Sequence, residues 1–432
     1  MSKIKKIIAV QVILLLVISL YSHVIYADEL SDTSNNSAEN QVSTSIEVLS
    51  KHAILMDQDS GQILYEHNAR ERAYPASTTK LITAILTMEN CNLDDEVIVD
   101  RNALLGIPRS YTIADLKADE KISVRDLLHV LLIPSANDAA NVLAYHISGS
   151  IDNFADKMNE KAQEIGCLDT HFTNPSGIHD DDHYSTAYDM ALIGRYATKY
   201  DTIREIATNT SCSISPLPTG QTRMFKTTNT LITPKHKYFY EYATGLKTGY
   251  TDKAKSCIVA TAKKDDVNLL CVVLGGEKTE DQKAQRELDC ISLFNYGFNN
   301  YTHMNMCTEN SQLKEDVIQN LPTELENASI IYSKSLDLMV PKDESYGVET
   351  QFIPNIELPA YKGTVIGCTT YTVDGTAYSV DLILNEDILP KSNFDVKSLY
   401  IFLSFVLLFV ILFSIIKKKN KHDSRYFKRS LY

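Results

Sequence analysis

The chain has no tryptophan, no C-x-x-C pair and no internal repeat, and its 42 basic residues fall short of its 55 acidic ones. Each shortage excludes something. A formal charge of -13 argues against a nucleic-acid partner. Eight cysteines without C-x-x-C or Cys/His ligand spacing form no zinc module. Cys257 and Cys271 lie in apolar, strand-like runs, so mostly free thiols are expected, although an exported chain has the chance to pair them. Twenty-four tyrosines fill the place of tryptophan as core and cleft side chains and imply no cofactor. His179-Asp180-Asp181-Asp182-His183 has ligand types without further ligands converging in sequence, so it reads as a solvated loop before a helix and no metal is expected.

What is present divides the chain. At 432 residues, 44% hydrophobic and 22% charged, it has room for two folded domains plus accessory segments. Residues 1–27 read as a signal peptide: Lys3, Lys5 and Lys6, an apolar run from Ile7 to Leu20, and Ala27 before Asp28. Residues 28–46 are a polar linker. Residues 399–416 are 18 residues without a charge, apolar all round, long enough to cross a hydrocarbon core of ~30 Å. The basic tail 417–432, with Lys417, Lys418, Lys419 and Lys421, places the C-terminus inside. The expected topology is a single pass in the cell membrane with the body outside.

Between these ends, Ala53–Met56 and Gln62–Tyr65 flank a turn at Asp57–Gly61 and predict a hairpin. The spacing of Leu81, Ile82, Ile85, Leu86 and Met88 predicts a helix over 77–89. Residues 123–200 are helix-rich, one helix closing at Gly166. A second hairpin spans 256–274, and a closing helix is expected over 281–298. The plan is α+β: an antiparallel sheet packed with helices, carrying a helical insertion, over residues 47–301. Residues 302–388 alternate apolar and polar positions and read as a small all-β domain, a sandwich or open barrel.

Three short motifs stand in order: Ser77-Thr78-Thr79-Lys80, Ser135-Ala136-Asn137 and Lys247-Thr248-Gly249. One S-x-x-K alone says little, since Ser2-x-x-Lys5 and Ser414-x-x-Lys417 repeat it in the signal and at the membrane exit. Ser77 differs because Pro75-Ala76 precede it and an apolar-periodic helix follows, which puts Lys80 on the same face. A serine hydroxyl needs an adjacent base, and a lysine serves only when burial or another positive charge lowers its pKa. Lys247 is the candidate for that second charge; Lys80 is expected to be enclosed and Lys247 to face an anionic group. Ser135 has the chemistry to relay a proton, and Asn137 to hold a peptide carbonyl and Lys80. The plain alternative for each serine is an N-cap. Lys247 and Thr248 suit a terminal carboxylate, while the N–H groups of Ser77 and Tyr250 suit an oxyanion beside the small Gly249.

The ordered motifs with their flanks, Met56–Tyr65, Pro75–Lys80, Pro134–Asp138 and Gly245–Thr251, together with Asn174-Pro175-Ser176-Gly177 and His183–Ala187, resemble the D-alanyl-D-alanine carboxypeptidases, the low-molecular-mass penicillin-binding proteins of serine peptidase family S11, over residues 47–300. Residues 305–388 resemble the β-rich C-terminal domain of that family. The resemblance implies a β-lactamase/transpeptidase-like fold, Ser77 as nucleophile, Lys80 as base, Ser135 and Asn137 as proton shuttle and positioning groups, and Lys247 and Thr248 as carboxylate binders. It also implies Arg286, near the closing helix, at the substrate. The substrate would be a peptidoglycan stem peptide ending in D-Ala-D-Ala, with β-lactams as covalent inhibitors. Alternatives that share the motifs are a β-lactamase, a D,D-endopeptidase or transpeptidase, and a non-catalytic wall or β-lactam sensor. The chain departs from the pattern in a spanning anchor, where the family has a flat amphipathic helix, and in a longer 228–244 segment.

Overall fold

The computed structural model describes residues 46–277, 284–313, 321–343, 345–390 and 396–427. The expected signal peptide, nearly all of the linker and the last residues of the basic tail lie outside the described residues.

Along the chain, β1 (His52–Asp57) and β2 (Ile63–His67) form the expected hairpin. A 3-10 turn, Ala76–Thr79, leads into α1 (Lys80–Asn90). The helical insertion follows. It carries β3 (Glu96–Ile98) paired with β4 (Lys121–Ser123), then α2 (Val124–Leu132), α3 (Asn137–Ser148), α4 (Ile151–Ile165), α5 (Ala187–Ala197) and α6 (Asp201–Ala207). After β5 (Ser211–Ile214) and β6 (Arg223–Lys226) come β7 (Ala243–Thr251), β8 (Lys255–Lys264), β9 (Val267–Gly276) and α7 (Gln285–Asn300).

The main sheet has the order β2-β1-β9-β8-β7, antiparallel throughout. Side chains alternate across a strand, and here both faces are buried. Ile54, Met56, Val259, Leu270 and Val272 join the core under α1–α6. Leu55, Ile258, Ala260, Leu269 and Val273 join the core under α7. The sheet is thus the middle of three layers. Local chemistry starts and stops the helices: Ser123, Ser150 and Thr186 each accept a backbone N–H at an N-cap, and Gly149 and Gly166 close α3 and α4 in the left-handed region.

β10 (Tyr301–Cys307) runs directly out of α7 and pairs with β12 (Leu336–Pro341). β11 (Ile330–Tyr332), β13 (Gly347–Phe352), β14 (Val365–Val373) and β15 (Thr376–Leu384) form a second sheet, order β11-β15-β14-β13. Leu338, Val340, Ile366, Val380 and Leu382 fill one core between the two sheets, which makes the region a small β-sandwich. Helix α8 (Val396–Phe427) closes the described chain; within its segment 397–418 an 18-residue window has mean hydropathy 3.0 and no part buried within the protein. All eight cysteines are free thiols, including Cys271 and Cys290 at 3.6 Å.

The two folded parts are joined by named contacts. The Gln62 amide donates to the Met339 carbonyl and accepts from the Met339 N–H, both at 2.8 Å. Asp57 lies 3.2 Å from His303 Nε2 and also accepts the Ser60 N–H and hydroxyl. Gln62 is buried, so its loss strands two backbone groups of β12. Gln62→Ala is expected to lower stability by about 2 kcal/mol, read as a lower urea midpoint.

Candidate active site

Ser77 sits in a turn squeezed between two backbones. Ala76 just before it has φ +49°. A Cβ added at Gly177 would lie 1.9 Å from the Ala76 carbonyl oxygen, and one added at Gly249 would lie 2.8 Å from the Ser77 nitrogen. Only glycine permits both approaches, and Gly177 also holds φ +77°. The Ser77 N–H is thereby set against β7 at Gly249. The 3-10 turn ends at Thr79, and Lys80 opens α1 one turn after the serine.

The Lys80 Nζ has three acceptors: Ser77 Oγ at 2.9 Å, Asn137 Oδ1 at 2.8 Å and the Ser176 carbonyl at 2.6 Å. No carboxylate pairs with it among the described residues, and the side chain is fully buried. Burial pushes its pKa well below the usual lysine value; the charge of Lys247 adds to this, and Asp138 opposes it. Lys247 is also buried, and its Nζ donates to the Thr248 carbonyl at 2.8 Å. Burial, aided by Arg286, brings its pKa down to about 7. Within the protein its polar partner is this neutral carbonyl, and the charged group beside it is Arg286.

A cavity of about 420 Å³ opens in front of these groups. Ser77, Ser135, Asn137, Thr248, Gly249, Tyr250 and Arg286 all line it, whereas Lys247 lies behind the lining. Ser135 has φ +71° and does not cap α3, whose N-cap is Ala136. Arg286 stands in the first turn of α7, held by Glu287 at 2.7 Å, and reaches the Gly249 carbonyl at 3.3 Å. Tyr250 is 59% exposed at the mouth and donates to Asp252 at 3.2 Å.

Several contributors were not singled out from sequence. The Ser176 carbonyl accepts from Lys80, on the Asn174–Gly177 segment whose role the motif match alone did not disclose. Thr228 meets Thr248, hydroxyl to hydroxyl, at 2.5 Å from the 228–244 segment. Asp138 accepts the N–H groups of Ala114 and Leu116, which fixes the loop carrying Ser110, Tyr111 and Thr112 along the cavity wall. His183, expected in a solvated loop, is instead buried in the core beneath the site. Its Nδ1 accepts the Thr173 N–H at 3.0 Å, so Nε2 carries the proton and donates to Thr79 at 2.9 Å. Burial drives its pKa down to about 3, so the ring is neutral.

Comparison with known proteins places this geometry. Residues 36–278 match the peptidase S11 family model, described as D-alanyl-D-alanine carboxypeptidase. The chain is 32% identical over 356 residues to D-alanyl-D-alanine carboxypeptidase DacF of Bacillus subtilis strain 168, covering 80% of this chain and 87% of that protein. Among solved structures, penicillin binding protein 5 of Haemophilus influenzae superposes with TM-score 0.67 at 25% identity, covering 80% of this chain and 99% of that one. A Streptomyces K15 DD-transpeptidase variant superposes with TM-score 0.54 at 29% identity, covering 59% and 100%.

The glycine contacts predict a difference between two substitutions. Gly177→Ala meets a carbonyl and is expected to cost more than about 3 kcal/mol of stability. Gly363→Ala, with φ +87° but open space around it, should cost only about 1 kcal/mol from backbone strain. Chemical denaturation of the two variants checks this; equal losses would show that Gly177 is not a close-packing position.

Proposed function

The chain belongs to the peptidase S11 family of D-alanyl-D-alanine carboxypeptidases and is a hydrolase of that class, and on that premise we propose that Ser77 carries the reaction through an acyl-enzyme. The observation that supports this most is the 2.9 Å contact from Lys80 Nζ to Ser77 Oγ in a site that disfavours the ammonium. Neutral Lys80 takes the hydroxyl proton as Ser77 Oγ bonds to the D-Ala-D-Ala carbonyl carbon. The oxygen of that carbonyl becomes an oxyanion facing the N–H groups of Ser77 and Tyr250. The proton passes by way of Ser135 to the leaving nitrogen, the C–N bond breaks, and D-alanine departs. Water then attacks the ester carbon and gives a proton to Lys80; the carbon–Oγ bond breaks, Lys80 returns the proton to Ser77 Oγ, and the shortened peptide leaves with a new carboxyl group.

Substrate positioning follows from the cavity walls. Thr248, Lys247 behind it and Arg286 favour the terminal carboxylate. Asn137 favours the donor peptide and keeps Lys80 aimed at Ser77. β-Lactams present a comparable amide and carboxylate, so we expect them to acylate Ser77. The apolar segment of α8 suits a single pass through the cell membrane, with the body on the outer side where peptidoglycan stem peptides lie. The 28–46 linker and the β-sandwich then flank the peptidase domain.

The test is D-alanine release from diacetyl-Lys-D-Ala-D-Ala together with labelling by a fluorescent penicillin. Ser77→Ala should lose both, by more than about 10³-fold in turnover. Turnover or labelling that survives would reject Ser77 as the nucleophile.

The pKa directions set a pH profile. Activity in kcat/KM needs Lys80 neutral and Lys247 charged. It should therefore rise with pH through the depressed Lys80 value and fall as Lys247 loses its proton near about 7. Removing the Lys247 charge takes away one cause that lowers Lys80, so in Lys247→Met the acid limb of residual penicillin acylation should move to higher pH. An unmoved limb would show that the two lysines are not coupled.

A further inference from the structure

A second cavity, of about 360 Å³, opens at the end of the main sheet, where the β7–β8 turn, the start of β1 and the segment leading to Ser77 meet. Arg72, Lys253 and Lys255 line it, and among the described residues none of the three has an ion-pair partner. Lys51 joins them, held only at 3.9 Å by Glu277 and 64% exposed at its side chain. The Arg72 guanidinium lies 4.1 Å over the Tyr184 ring, which orients it. Two carboxylates also reach this rim, Asp181, which faces His179 at 3.3 Å, and Asp182. Cations still outnumber acids there, in a protein whose formal charge is -13.

The place of this cavity gives the charge a use. On the reading proposed above, substrate contacts along β7 would run in one direction: the carboxylate at Lys247 and Thr248, the oxyanion at Tyr250, then Thr251 and Asp252. Asp252 lines the catalytic cavity, and the next residue, Lys253, lines this one. A donor peptide with its terminal carboxylate at Thr248 and its scissile carbonyl at Tyr250 therefore sends its upstream residues past Asp252 toward Lys253. Each extended residue advances the chain by roughly 3.3–3.6 Å. Two residues before the D-Ala-D-Ala pair, a side chain comes within reach of the turn.

Taking Ser77 as the nucleophile and β7 as the substrate strand, as above, we propose that Arg72, Lys253 and Lys255 form an acyl-donor subsite for a carboxylate on the second residue before D-Ala-D-Ala. The enzyme would then select donors with an acidic residue at that place. The subsite is separate from the chemistry and sets which stem is accepted.

The experiment compares acetyl-Glu-Lys-D-Ala-D-Ala with acetyl-Gln-Lys-D-Ala-D-Ala. For the wild type, kcat/KM should favour the acidic peptide by roughly fivefold, the size expected for a partly exposed charge pair. In Arg72→Gln/Lys253→Gln the ratio should fall to about one, and Lys253→Glu should favour the neutral peptide. A wild-type ratio of one, or a preference that persists in both variants, would overturn the subsite. So would inorganic polyphosphate that binds the wild type and not the double variant while the peptide ratio stays at one, because the cluster would then serve a separate polyanion. The neutral peptide does not need the subsite, so failure of the wild type to release D-alanine from either peptide would instead overturn the Ser77 reading and the subsite with it.

Discussion

Everything at the site depends on one amine buried without a counter-charge. Lys80 reaches a hydroxyl, an amide oxygen and a carbonyl, and none of these repays the loss of water around an ammonium. The cheaper state is the neutral amine, which is the state a general base requires. Lys247 presses in the same direction, since two buried cations close together cannot both keep their protons at low cost. A carboxylate in contact with Lys80 would stabilise the ammonium and remove the base. Asp138 pulls in that direction, and its oxygens are occupied by the N–H groups of Ala114, Leu116 and Ala139.

Keeping that amine dry is a packing problem, and the fold solves it with backbone. The Asn174–Gly177 segment lies directly on the Ser77 turn and offers the Ser176 carbonyl to Lys80. Asn174 Oδ1 in turn accepts the N–H groups of Gly177 and Ile178, which holds that segment in its curve. His183 ties the segment's approach, through the Thr173 N–H, to Thr79 beside Lys80. A neutral ring suits this job, since a proton on both nitrogens would remove its acceptor. Close contact, rather than ion pairing, is what holds the nucleophile and base together.

The parts that rest on local pattern were legible in the sequence. The 52–67 hairpin, the helix stopping at Gly166, the β8–β9 hairpin and the alternating strands of the β region all follow from periodicity and turn residues. So did the meeting of Ser77, Lys80 and Asn137, because the i, i+3 spacing and the ordered motifs carry it. The rest was hidden because it depends on backbone atoms and on long-range approach. The residue type of Ser176 says nothing of its carbonyl, and no spacing links Thr228 to Thr248. Gly177 was the available signal, a residue whose lack of a side chain marks a close approach. The His179–His183 stretch shows the opposite hazard: its composition looks like a ligand set, but burial and hydrogen bonding turn His183 into a neutral brace.

The main sheet also separates two demands that would otherwise conflict. Its order places β2 at one edge and β7 at the other. The β-sandwich takes hold at the first edge, through Gln62 and Asp57 on the β1–β2 hairpin. The motif strand β7 occupies the second, where an edge is needed for a peptide to lie alongside. With strands about 4.8 Å apart, the three intervening strands β1, β9 and β8 put those edges about 19 Å from one another. The contacts of the β-sandwich at Gln62 and Asp57 therefore lie on the hairpin at the opposite side of the sheet from β7. The buried strands between them, Leu55 and Ile258 on one face and Ile54 and Val259 on the other, make that separation stiff. The accessory domain is thus free to vary in its own surface while the substrate edge stays open, a division set by sheet order rather than by any residue of the catalytic motifs.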